Sequence, residues 1–291
     1  MIHLPAEHVL NEMMSLQQLT RACISDAGGG RNEPTLVVKA KSLSLKYILK
    51  APRIRLVAGR TREDKCFYGV VINDDPNSPY TLWSFVERDD EMEALQRMLS
   101  GEQFMLALFN EAVVNICSGL LRLQTQRAEA ITLLEHAKIG ASPEGDEAES
   151  EVIQLLEDWH ANGAGVVAFT SDGVPNWGPN TCMYVTNQLQ TTLLNLTNSD
   201  EGCQQEQLAA WITDSLHPRG VFQNPTACEK VPRELCDLLL THEFGTILFE
   251  SKALTVLSRQ DVPTRDKLRN DIVKHVRKAL RQLSGRMPVN S

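Results

Sequence analysis

The sequence predicts a mixed α/β (α+β) chain in two parts. Three observations lead there. The 291 residues exceed one ordinary domain at about 100 to 200 residues each. The apolar pattern alternates between short β-like runs and helical spacing. A small, acidic stretch, Gly140 to Glu147, reads as a linker. It separates a β-rich N-terminal domain, residues 1–140, from a C-terminal domain, residues 150–291.

Residues 1–25 are expected to be helical, with Val9, Met13, Leu16 and Leu19 recurring at helical spacing until Ala27-Gly28-Gly29-Gly30-Arg31 ends the element. Those glycines are no phosphate loop, because no Gly-Lys-Ser/Thr follows. From Thr35 to Glu87, runs rich in Val, Ile, Leu and Tyr predict a β-meander, with alternation at Leu43, Leu45 and Tyr47 and at Ile54 and Leu56. The turn Asn73-Asp74-Asp75-Pro76-Asn77 divides Tyr68–Ile72 from Tyr80–Val86. Asp89, Asp90 and Glu91 supply an acidic first turn to a helix carrying Met92, Leu95 and Met98. Phe104 to Cys117 reads as strand, and Leu121 to Lys138 as helix. Beyond the linker a helix is expected over Glu149–His160 and a strand over Val166–Thr170. A loop follows over Gly173–Asn180, and 183–196 fits strand or helix. A helix from Gly202 carries Leu208, Ile212 and Leu216 on one face, with Glu206 in its first turn. Leu235–Leu240 and Thr246–Val256 form a hairpin, and Pro263 opens a helix reaching Leu283.

Composition excludes several classes. At 42% hydrophobic and 23% charged, the chain is neither disordered nor collagenous. Its longest apolar runs, such as Phe104 to Phe109, fall far short of the roughly 18 to 20 residues that span a bilayer, so no membrane partner is expected. The start lacks a basic region and a small-residue cleavage site, and seven cysteines stand singly without metal-ligand spacing. A cytoplasmic protein with reduced thiols is the expectation. The net charge of -8 hides an asymmetry: from Lys252 onward ten Lys or Arg face three Asp, a local +7, so the preceding 251 residues carry -15. A local contact with a polyanion is therefore expected from a chain too acidic to coat DNA indiscriminately.

The chemistry concentrates late in the chain. In a strand, alternate side chains share a face, so Glu250 and Lys252 lie about 7 Å apart on one side. Asp237 can reach them from the neighbouring strand. Charges set among apolar residues must pair or bind a cation. Two carboxylates suit a hard divalent ion such as Mg²⁺, and a neighbouring lysine can orient water or offset developing phosphoryl charge. A cross-strand ion-pair cluster is the alternative for these residues, and for Glu206 it is the ordinary stabilisation of a helix start. His160, His217 and His242 have no spaced partner, although His242 sits in the hairpin turn.

Asp237 followed by Glu250-Ser251-Lys252, with Gly202-x-x-x-Glu206 on a preceding helix and a basic helix after, resembles the PD-(D/E)XK nuclease superfamily over residues 200–285. The resemblance implies a restriction-endonuclease-like mixed sheet flanked by helices, and Mg²⁺- or Mn²⁺-dependent cleavage of DNA, with RNA a lesser substrate class. Restriction or defence against foreign DNA is the implied setting. It makes Asp237, Glu250 and Glu206 metal ligands and puts Lys252 on the attacking water, so that Asp237, Glu250 and Lys252 form the catalytic set. On the basic helix, Lys274, Lys278, Arg281 and Gln282 would meet nucleic acid. The chain is short after Leu283, where the family core continues into another strand, so a second copy or a partner protein is a further expectation. The competing expectation is a non-catalytic interaction or scaffold protein that retains a nuclease-like fold.

Overall fold

Residues 5–26, 32–124, 127–140, 146–163, 165–185, 191–195, 197–217, 219–227 and 233–284 are described by a computed structural model, and the chain divides into two units, Met1–Asn180 and Thr181–Ser291. The expected glycine linker at 27–31 and most of the acidic linker, 141–145, lie outside the described residues.

The first unit runs α1 (Glu7–Ser15), β1 (Leu19–Asp26), β2 (Asn32–Lys39), α2 (Ser42–Lys50), β3 (Arg55–Arg60), β4 (Cys66–Ile72), β5 (Tyr80–Phe85), α3 (Asp89–Leu99), β6 (Phe104–Phe109), β7 (Asn115–Leu121), β8 (Leu123–Gln124), α4 (Arg127–Glu135), α5 (Asp146–Asn162), β9 (Val166–Ser171) and β10 (Asn176–Pro179). Two five-stranded sheets result, ordered β1-β2-β6-β7-β10 and β5-β4-β3-β9-β8. Among the named strands of the described residues, only β2 and β6 pair in parallel. Val9 and Met13 of α1 pack with Leu19, Cys23, Val37 and Phe109 on the first sheet. Val152 and Leu156 of α5 pack with Val57, Phe67, Val71 and Phe85 on the second. The sheets adjoin where Thr20 Oγ1 donates to the Leu82 carbonyl (3.2 Å) and the Ala22 N–H donates to the Tyr68 hydroxyl (2.7 Å).

Several expectations are corrected here. Leu19–Asp26 is a strand, not the end of a 25-residue helix, because its five buried residues Leu19 to Cys23 are paired against Val38, Leu36 and their neighbours in β2. Ser42–Lys50 is a helix. Its alternation at Leu43, Leu45 and Tyr47 suggested a strand, but the residues buried are Leu45, Tyr47 and Ile48, a helical set. The helix expected from Leu121 begins only at Arg127, since Leu121 pairs with Phe104. The domain boundary also moves. β9 pairs with β3 and β8, and β10 with β7, so the segment after the linker completes the first unit's sheets, which close at Asn180 instead of near residue 140.

The second unit runs β11 (Cys182–Val185), β12 (Thr191–Leu194), α6 (Glu201–Leu216), β13 (Val221–Gln223), β14 (Thr226–Ala227), β15 (Arg233–Glu234), β16 (Leu238–His242), β17 (Gly245–Phe249) and α7 (Arg265–Ser284). Within the ambiguous 183–196 segment, the described residues form β11 and β12, which pair antiparallel. β13, β16 and β17 make an antiparallel three-stranded sheet on which α6 packs through β13 and β16. The chain is thus mixed α+β. No described helix is long and apolar enough to cross a membrane.

Candidate functional site

The hairpin of β16 and β17 places two acids side by side. Its short connection, Glu243 and Phe244, sets the register, with His242 opposite Gly245 and Leu238 opposite Phe249. Asp237 immediately precedes the last of these pairs and Glu250 immediately follows it. The strand expected to continue to Val256 stops at Phe249. The physical reason is a captured donor: the Ser251 N–H donates to Asp237 Oδ2, a side-chain acceptor in place of a ladder carbonyl. That bond clamps the Glu250-Ser251-Lys252 triplet against the start of β16.

Lys252 closes the cluster. Its ammonium donates to Glu250 Oε1 and to the Ser251 carbonyl (2.8 Å), and it lies 3.7 Å from Asp237 Oδ2. The Glu250 side chain is 2% exposed, that of Asp237 10% and that of Lys252 21%. One cationic centre therefore serves two buried carboxylates, as burial of charge requires. Both acids are on the same side of the hairpin, because a single nitrogen reaches both.

Glu206 comes from α6. Asp200 caps that helix, its Oδ1 accepting from the Cys203 N–H (3.2 Å). The helix starts at Glu201, and Glu206, its sixth residue, belongs to the second turn and not to the expected first. Its carboxyl is pushed above the usual carboxylate range, first by burial and then by the negative charges of Asp237 and Glu234, while Lys252 pulls it down. It is thus an electrostatic neighbour of the cluster. Among the described residues, no three His, Cys, Asp or Glu side chains are grouped so as to hold a metal ion. The converging donors are two, Asp237 and Glu250, with Glu206 beside them.

A fourth acid escaped the sequence reading. Glu201 is buried at 6% exposure, and its Oε1 accepts from the Leu257 N–H. It ties the chain after Lys252 back to the start of α6. An acid in a helix's first turn is so common that nothing marked this one.

The remaining candidates stand apart. Lys274, Lys278 and Arg281 are exposed on α7 and enter no ion pair among the described residues, whereas Asp271 on the same helix pairs with Arg259 at 2.8 Å. Gln282 is half-buried, with Oε1 shielded from solvent and without a hydrogen-bond partner among the described residues. His242 does not approach the cluster. It lies at the turn end of β16, about 17 Å along the strand from Asp237, stacked on Phe244 at 5.0 Å and beside His217 at 4.8 Å. No family model, curated protein or solved structure proved similar to this chain.

Proposed function

We propose that the second unit is a metal-dependent nuclease that hydrolyses DNA phosphodiester bonds. The observation that carries this reading is the Lys252 ammonium set against the carboxylates of Asp237 and Glu250, with Glu206 as their electrostatic neighbour. All four residues come from sequence positions as far apart as 206 and 252, yet they share one locality. The sheet of β13, β16 and β17 with α6 against it offers partial support: it is antiparallel throughout and not the mixed sheet that a restriction-endonuclease-like core implies.

Asp237 and Glu250 supply hard oxygen donors of the kind Mg²⁺ or Mn²⁺ takes, and an ion between them would have to displace the Lys252 ammonium that now bridges both. Asp237 and Glu250 would hold it, and Glu206 would be the third ligand. When bound, such an ion supplies Lewis-acid stabilisation of phosphoryl charge and a water of lowered pKa. The chain contributes the rest. The Ser251 N–H orients Asp237, the hairpin register holds Glu250 opposite it, and Lys252 offers a cationic donor to a water or phosphate oxygen. Lys274, Lys278, Arg281 and Gln282 on α7 would take the backbone of the nucleic acid. Restriction or defence against foreign DNA is the setting in which such an activity would serve, and RNA is the secondary substrate class.

The test compares cleavage of plasmid and linear DNA, with Mg²⁺ or Mn²⁺, by the wild type and by Asp237→Ala and Lys252→Ala. Each substitution is expected to lower the rate by about 10²-fold or more, as loss of a positioned catalytic group does. Equal cleavage by all three proteins, or none by any, would remove the catalytic assignment. One observation favours a second reading, a non-catalytic interaction protein: the carboxylates are already compensated by lysine, and no three-ligand group is formed among the described residues. That reading expects folded protein without cleavage under every metal condition.

A further inference from the structure

The three-stranded sheet of the second unit ends in an unprotected edge. β17 pairs with β16 on one side and with no strand on the other among the described residues. Natural edges are usually blunted by lysine, proline or a bulge. β17 reads Gly-Thr-Ile-Leu-Phe and has none of these. Gly245, Thr246 and Ile247 are exposed, Ile247 at 54%, and the adjoining turn residue Phe244 at 88%.

We infer that β17 pairs antiparallel with β17 of a second copy of this chain, about a two-fold axis at Ile247. A two-fold contact requires a self-complementary strand, and this one qualifies. With Ile247 opposite its own counterpart, Thr246 faces Leu248 and Gly245 faces Phe249 of the partner subunit. Residues two apart direct their backbone groups the same way, so the register brings like with like, as an antiparallel ladder requires. It also sets the largest side chain of the strand against the smallest, and a side chain built onto Gly245 would meet nothing within 4 Å. The aromatic ring of each copy therefore has open space over the other's glycine.

Charge favours this edge over α7 as the seam. The strand is uncharged, so two copies meet without repulsion, whereas α7, with its exposed Val276 and Leu280, carries seven Lys or Arg and would set like charges together. The same register places Phe244 opposite Glu250 of the partner subunit. The exposed hairpin tip of each copy then lies beside the other copy's acidic cluster. Pairing itself does not depend on the nuclease reading, since it is measured by mass and cross-linking.

Sedimentation of the full chain from about 1 to 200 µM is expected to show a mass rising from one chain toward two, the range a short ladder with a few aromatic contacts supports. Ile247→Lys puts like charges at the axis and is expected to hold the chain monomeric, with its circular dichroism unchanged. Ile247→Cys is expected to form an interchain disulfide on mild oxidation. Opposed residues of an antiparallel pair have Cα atoms about 4.5 to 5.5 Å apart, within disulfide range. Phe222→Cys, on the far edge strand β13, should cross-link no faster than the wild type with its native cysteines. A monomer at the highest concentration, or an Ile247→Cys variant that cross-links no faster than Phe222→Cys, would overturn the inference even if Ile247→Lys failed to fold.

Discussion

Lys252 shows how one side chain can make a costly arrangement stable. Glu250 and Asp237 are nearly removed from solvent, and two such carboxylates would be strongly unfavourable without a cation. The ammonium and the Ser251 N–H together compensate them. The buried thiols of the first unit follow the opposite rule: they remain neutral. Burial pushes Cys23 and Cys117 up to about 11 and Cys66 up to about 12, from an ordinary 9.0. Between pH 9 and those values the folded chain keeps protons that the unfolded chain has lost. Their stabilising contribution is therefore complete below pH 9 and declines as pH rises, by at most about 1.4 kcal/mol per pH unit for each thiol. Urea unfolding at about pH 8 and about pH 10.5 should show this decline, and Cys66→Ala should make it shallower. Identical slopes for the two proteins would rule out that coupling.

At the scale of elements, pairing outweighs local preference. β1 and α2 each carry a periodicity that suggests the other structure, and each is decided by what it packs against. Within the second sheet the spacing between β4 and β5 depends on a missing side chain. A Cβ at Gly69 would lie 2.7 Å from the Leu82 carbonyl oxygen and 2.9 Å from Trp83 Cβ. The obstructing atoms belong to the paired strand itself, so they cannot rotate away. Gly69→Ala is expected to cost about 1 to 3 kcal/mol, the usual price of overpacking. Thermal unfolding of the variant against wild type measures it, and an unchanged midpoint would mean that β4 and β5 part without cost.

For the whole molecule the dominant physical feature is segregated charge, +7 after residue 251 and -15 before it. α7 gathers most of the positive charge, and its cations Lys274, Lys278 and Arg281 are exposed without acid partners among the described residues. If these three meet phosphates, each adds about -0.9 to the slope of log affinity against log salt for duplex DNA. Changing all three to Gln should then make the slope shallower by about 2.7. Fluorescence anisotropy with a labelled duplex across a salt series reads this directly. A slope that stays the same would remove α7 as the nucleic-acid face.

Much of this architecture is written in local sequence. The helices α3, α6 and α7 are legible from apolar residues at helical spacing, and the β4–β5 turn from its Asn, Asp and Pro residues. That Asp237 lies within reach of Glu250 and Lys252 across a hairpin is legible too, but the two-residue turn and the end of β17 at Phe249, which set how they meet, are not. Long-range pairing decided the rest. That Leu19–Asp26 is a strand depends on β2, and that residues 146–180 belong with the first unit depends on β3, β7 and α5's place on the second sheet. Glu201's role and the end of β17 at Phe249 depend on single hydrogen bonds to groups 56 and 14 residues away. Local sequence carries periodicity and turn chemistry, but which backbone group captures which acceptor is decided only when distant segments are brought together.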